Sequence, residues 1–285
     1  MWIGIILAGI AALVTLLFLA LWVGELRWRA GTTLFDERLR KTIQPPKVAV
    51  YHERELIGLP APVQRYFRLV LRDGQPMVRE AEVHHVGTFQ LGKDDKGWKP
   101  FDSVERFIIN RPGFLWSASI RMMTGVHMLV RDRYLTGEGG LHAAIGGILT
   151  MSRPQASHQL AEGSLQRFLA EAIWMPTALL PSEHLQWTPI DDTTAKATLT
   201  DGANSVPLIF RFNTTGEIVQ AHATARFFEK NGGYTPLPWT SRCWNYAERG
   251  GMRIPLDAEV LWHIPEGDFP YWRGHITWVE YDHPE

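Results

Sequence analysis

Residues 2–23, WIGIILAGIAALVTLLFLALWV, are uncharged and almost wholly apolar. At helical rise such a run matches the hydrocarbon thickness of a bilayer. Trp2 at one end and Trp22 and Trp28 at the other suit the two headgroup levels, which favour amphipathic rings. A cleaved secretory signal has a basic start, a shorter apolar core and a small-residue cleavage site. This run lacks them, so residues 1–24 are read as an uncleaved single-pass transmembrane anchor.

Beyond the anchor, residues 25–54 form a juxtamembrane segment in which 32–44 is predicted as a short amphipathic helix closed by Pro45 and Pro46; a solvated stalk is the alternative. Val63, Tyr66, Phe67, Val70 and Leu71 then recur at helical spacing. From about residue 82 the period changes to two. Alternating segments near 82–91, 101–110, 113–123, 126–136 and 140–152 are separated by Lys93-Asp94-Asp95-Lys96-Gly97, Asn110-Arg111-Pro112-Gly113, Thr124-Gly125 and Gly137-Glu138-Gly139. A second series near 193–200, 205–213, 217–229, 237–247, 252–263 and 271–281 is broken at Asp201-Gly202, Thr215-Gly216, Asn231-Gly232-Gly233, Gly250-Gly251 and Pro265-Glu266-Gly267. Strands joined by such short turns pair with their neighbours. The prediction for 55–285 is therefore one mainly antiparallel β domain, a curved sheet or half-open barrel of about eleven strands with a few packed helices.

Between the two series, Leu165, Phe168, Leu169, Ala172 and Ile173 give a helix over 158–175, ended or kinked by Pro176. The segment FLWSASIRMMTGVHMLV is apolar on both parities, so it is covered on both sides, by a helix or by something that is not protein.

Five lysines and arginines, Arg27, Arg29, Arg38, Arg40 and Lys41, follow the apolar run and none precedes it. That bias places the domain on the cytoplasmic side, close to anionic lipid, with a periplasmic domain as the alternative. A net charge of −1 gives no basic footprint for nucleic acid. The single Cys243 excludes an intrachain disulfide and a zinc knuckle.

Chemical motifs are sparse. The glycine-rich 137–147 lacks the third glycine of a dinucleotide loop, His84 and His85 point to opposite faces of a strand, and no HExxH or Gly-x-Ser-x-Gly is present. Neither a metal site nor a cofactor is expected. Glu171 is read either as a buried ligand anchor or proton donor, or as a surface ion pair with Arg167 four residues earlier. Arg211, Arg226, Arg242 and Arg273 stand next to aromatic residues, and parity leaves open whether any of them points inward.

The stretches Leu59-Pro60-Ala61-Pro62-Val63-Gln64-Arg65-Tyr66-Phe67 and Glu171-Ala172-Ile173-Trp174-Met175-Pro176-Thr177-Ala178-Leu179-Leu180-Pro181, with Pro238-Trp239 and Arg253-Ile254-Pro255, resemble a family of bacterial membrane-anchored proteins known as a domain of unknown function. The resemblance covers most of the chain after about residue 55 and implies no activity or catalytic residues. In strand and helix order the chain is also similar to bacterial lipoprotein-carrier folds, a curved antiparallel sheet wrapped over helices around an apolar cavity.

Three functions follow as expectations. The first is a binding module for a lipid or other hydrophobic small molecule, held by Trp116, Met122, Met128, Phe168, Glu171 and Trp174. The second is a hydrolase or isomerase using Glu171 and His184 as acid and base. The third is a scaffold without a ligand; the balance leans away from an enzyme.

Overall fold

A computed structural model describes residues 2–44, 47–92, 97–230 and 232–283. Pro45 and Pro46, residues 93–96 of the first turn and Asn231 lie outside the described residues. Three α-helices, α1 (Trp2–Arg40), α2 (Ala61–Val70) and α3 (His158–Glu171), accompany thirteen strands. These are β1 (Glu80–Gln90), β2 (Trp98–Ile108), β3 (Gly113–Met123), β4 (Val126–Leu135), β5 (Glu138–Ile145), β6 (Leu149–Ser152), β7 (Leu185–Pro189), β8 (Thr194–Asp201), β9 (Asn204–Phe212), β10 (Ile218–Lys230), β11 (Gly233–Arg249), β12 (Met252–Ile264) and β13 (Gly267–Asp282).

All thirteen strands form one antiparallel sheet, ordered β6-β5-β4-β3-β2-β1-β13-β12-β11-β10-β9-β8-β7. The chain thus lays down one half as a meander, crosses through α3 and lays down the other half from its far edge. The halves join where β1 pairs with β13, Val83 opposite Val279. A sheet this wide accumulates twist at every strand and curls into a half-barrel. The hairpin ends of the two halves meet: Tyr134 donates its hydroxyl to Asp201 at 2.8 Å, and Asn204 donates to Tyr134 at 3.0 Å and to the Gly137 carbonyl at 2.9 Å.

The concave face wraps α3. Leu165, Phe168, Leu169, Ala172 and Ile173 are buried as their spacing requires, and so are Ala161, Gly163, Ser164 and Gln166 on its other sides. The α-helix ends at Glu171, earlier than the expected 175, and two short 3₁₀ turns, Ala172–Trp174 and Pro176–Leu179, follow. Pro176 opens the second turn, where its missing N–H and fixed φ are tolerated. Ser157 caps α3 by accepting the Leu160 N–H at 3.1 Å. Val63, Tyr66, Phe67 and Val70 of α2 also enter the core.

Two departures from expectation are local. The 140–152 segment divides into β5 and β6 around Gly146 and Gly147, both at positive φ. The edge strand β7 adds a pairing, Leu185 opposite Leu199, that its short, largely exposed sequence does not signal.

The separate helix expected over 32–44 is absent, because the apolar run continues unbroken into it as α1, 39 residues long. Residues 2–20 of α1 are exposed throughout, whereas Gly24, Trp28 and Leu39 are buried against the convex face of the sheet. Leu39 packs with Ile108 and Leu115, and Trp28 with Leu129 and Ala144. This is the cover that the doubly apolar β3–β4 segment requires on its outer side. Asp36 receives a 2.6 Å ion pair from Arg106, which also binds Glu80 and Glu82 of β1. The helix is long and apolar enough to cross a membrane by length and composition.

Candidate functional site

Alternation on the concave strands turns Phe101, Ser103, Glu105 and Phe107 of β2 inward, with His85 of β1 and Val130, Asp132 and Tyr134 of β4. Where these face the C-terminal end of α3, the packing leaves a cavity of about 240 Å³. Five tryptophans, Trp116, Trp174, Trp239, Trp262 and Trp272, line it with Phe89, Tyr271 and aliphatic side chains. Its polar lining includes Asp132, Arg167, Glu171 and Arg226.

One wall is a buried charge cluster. The Arg167 guanidinium donates to Glu171 at 2.8 Å, to Asp132 at 2.7 Å and to Glu105 at 2.8 Å. It also lies over the rings of Phe114 and Trp116, 4.9 and 5.0 Å from their centroids. Three carboxyls therefore share one guanidinium. Burial pushes the Glu105 carboxyl well above the usual carboxylate range against the pull of Arg167, and burial also raises Glu171. The second oxygens of Glu105 and Glu171 are buried without a donor from another residue. Both upward shifts favour a proton retained on this pair, which relieves the excess negative charge.

Arg226 enters from the opposite wall. It donates to the Gly163 carbonyl at 3.0 and 3.2 Å and sits 4.7 Å from the Trp239 ring and 5.3 Å from the Trp262 ring. Among the described residues it has no acidic partner. A register shift between Ala223 and Arg226 turns it inward. Arg242 and Arg273 instead pair outside the cavity with Glu259, and Arg211 is exposed.

His85 is buried between Trp174 and Trp272, with centroids at 4.7 and 5.7 Å. Among the described residues neither imidazole nitrogen has a partner, and burial pushes its pKa down to about 3. The indole N–H groups of Trp116 and Trp174 are likewise buried and unpartnered at the cavity wall.

Of the residues singled out from sequence, Trp116, Glu171 and Trp174 line the cavity together. Met128 and Phe168 are core, Phe168 packing 6.2 Å from Phe107, and Met122 is partly buried against that core; none of the three lines the cavity. Glu171 and Arg167 do pair, but in the interior rather than on the surface. His184 does not join Glu171: it is half-exposed beside β7, and its imidazole pairs with Glu183 at 3.2 Å. The sequence reading passed over Glu105 and Asp132 and weighed His85 only as half of an adjacent pair with His84, although each shares the parity of buried apolar neighbours: Phe107, Val130 and Val83. Among the described residues no group of three or more His, Cys, Asp or Glu is arranged to hold a metal ion; the three carboxyls here converge on Arg167.

No curated protein matches the chain. Among solved structures, the fold is similar to a crystal structure of a LolA superfamily protein from Nitrosomonas europaea, with 12% sequence identity and a TM-score of 0.42 over 80% of this chain and 96% of that one. The profile of a family of unknown function, DUF6920, matches residues 57–281, and the chain belongs to that family.

Proposed function

We propose that the protein is a single-pass membrane-anchored binding module whose concave face holds the apolar part of a small amphiphilic molecule, such as a lipid chain. The observation that carries this reading is the tryptophan-lined cavity with polar groups in its walls that other residues do not satisfy: among the described residues the indole N–H groups of Trp116 and Trp174 have no acceptor, and the charge of Arg226, though hydrogen-bonded to the Gly163 carbonyl, has no acidic partner. Apolar walls with a few placed polar groups are the usual make-up of a small-molecule site. A volume of about 240 Å³ admits one slender apolar segment, leaving the remainder of a larger lipid outside. The acid–base alternative retains its buried carboxyl but not its named histidine, since His184 pairs with Glu183 instead.

The anchor, residues 1–24, holds the module at the bilayer, and the basic residues after it favour a cytoplasmic domain. Residues 25–40 also cover the sheet, so binding is best tested on the full chain. Full-length protein in nanodiscs, stripped of bound lipid, should take up a fatty acid or a hydrophobic fluorescent probe saturably. Ala258→Leu, which places a side chain in the cavity, should remove that binding with little change in the circular dichroism spectrum. Unsaturable uptake, unaffected by Ala258→Leu, would end the binding-module reading.

A further inference from the structure

The sheet reaches α1 at the end of its apolar run, and does so through glycine backbone. A Cβ on Gly24 would collide with the Gly146 carbonyl and the Ile148 side chain, and one on Gly146 would collide with Leu21. A Cβ on Gly125, in the β3–β4 turn, would come within 4.0 Å of the Phe18 ring. The two hairpin tips therefore sit beside helix residues 18–24. Phe18 is four residues before Trp22, about 6 Å along the helix.

These tips are apolar and uncovered. Met123 is 65% exposed, Ile148 53%, Leu149 61% and Met151 56%. Four large hydrophobic side chains are thus exposed on two neighbouring hairpin tips and an edge strand, a concentration that soluble surfaces rarely show. Glu25, next to Gly24 on α1, is paired with Arg29 at 2.6 Å, and arginines without such a pair stand nearby. Arg27, Arg121, Arg131 and Arg153 flank the patch in sequence or across the α1–sheet junction, and none has an ion-pair partner among the described residues. Arg131 is instead stacked 4.1 Å from the Trp28 ring centroid.

We propose that the β3–β4 and β5–β6 tips, with strand β6, are a membrane-docking surface: Met123, Ile148, Leu149 and Met151 enter the boundary between headgroups and acyl chains, and the arginines meet anionic headgroups. The inference rests on reading α1 as a membrane span. An apolar tip under a cationic belt is the arrangement by which interfacial segments bind anionic bilayers. It makes the domain a fixed attachment rather than a body swinging on a tether. The same two strands that reach the bilayer, β3 and β4, carry the cavity-lining Trp116, Val130 and Asp132.

Full-length protein carrying one fluorophore at a time, in nanodiscs of phosphatidylcholine with or without phosphatidylglycerol, tests this. Cys243 is buried and Cys243→Ser retains a donor for the Ile218 carbonyl, so labels can be placed singly at Met123→Cys, Leu149→Cys and Met151→Cys. Leu13→Cys reports the span, and Ile57→Cys, at a site 83% exposed beside α2, reports water. Labels at 123, 149 and 151 should be quenched by nitroxide-bearing lipid and shielded from iodide. Phosphatidylglycerol should increase both effects, and Arg121→Gln with Arg153→Gln should remove that increase. Iodide quenching at 149 and 151 equal to that at 57, with 13 still quenched by lipid, would overturn the docking surface and leave the span standing. Iodide access at 13 as well would remove the span reading together with the docking. No phosphatidylglycerol dependence in the parent protein would overturn the role given to the arginines.

Discussion

Arg167 is the cation shared by Glu105, Asp132 and Glu171, and the consequences of removing it differ sharply from those of altering one carboxyl. Arg167→Met leaves Glu105, Asp132 and Glu171 facing one another without a cation, and breaking a buried ion pair in this way costs about 3–5 kcal/mol. Glu171→Gln keeps an oxygen for the Arg167 donor and supplies an amide N–H to Glu105, so it should cost about 1 kcal/mol or less while weakening retention of bound amphiphile. Thermal unfolding followed by circular dichroism separates the two; a severe loss in Glu171→Gln would show that the negative charge there is required. His85 gives a pH test. Its pKa is held near 3 by burial, below its ordinary 6.5, so the stability due to keeping it neutral is present above pH 6.5 and lost as pH falls toward 3. The loss is roughly 1.4 kcal/mol per pH unit. Glu105 and Glu171, shifted upward, act in the opposite sense: their contribution is present below 4.5 and declines as pH rises through their folded values. His85→Phe should therefore flatten the fall in melting temperature between pH 6.5 and 3 while leaving the alkaline side unchanged. An acid branch as steep as in the parent would mean that the imidazole is not held neutral in the folded state.

Elements whose burial follows a regular period were legible in the sequence, and those set by a local irregularity were not. The stripe of α2, the stripe of α3 and most strands follow from spacing alone, because one face of each packs on the core. Parity does not follow Arg226 through the irregular register after Ala223, so its inward direction was unreadable although its aromatic neighbours were visible. Glu105 was readable in principle: it sits two residues from Phe107 on the inward parity, and a carboxyl there has to be buried or the strand broken. The continuity of α1 was hidden because its two halves obey different rules, apolar and exposed on all sides up to Ala20 and one-faced after Val23. The change occurs at Gly24, where the sheet backbone touches the helix. Gly24→Leu should force the helix off the sheet there, exposing Trp28 and Ala144 without altering strand pairing. Faster proteolysis within residues 25–44, with unchanged β-sheet circular dichroism, is the expected result; resistance equal to the parent would show that the junction yields without detaching.

At the scale of the whole molecule, the local patterns in the sequence specify the hairpins but not the join between β1 and β13, nor the cavity enclosed once the two halves curl around α3. These depend on pairings between distant segments that no local pattern encodes. The sequence does carry an argument about which side of the membrane holds the assembly. No lysine or arginine precedes the apolar run, whereas Arg27 and Arg29 follow within a few residues. On the proposed reading of α1 as a span, retention of basic residues on the cytoplasmic side predicts the curled sheet in the cytoplasm with the amino terminus outside. Arg27 and Arg29 lie nearest the span and are the residues expected to decide orientation. Fusions at the carboxyl terminus in a bacterial host should give a bright fluorescent protein and an inactive alkaline phosphatase. Lysines added before Trp2, combined with Arg27→Gln and Arg29→Gln, should shift the signal toward the phosphatase by removing the bias while leaving the apolar run intact. An active phosphatase on the unaltered chain would put the domain on the outer side, and the anionic surface met by the arginines around the hairpin tips would then belong to the opposite leaflet.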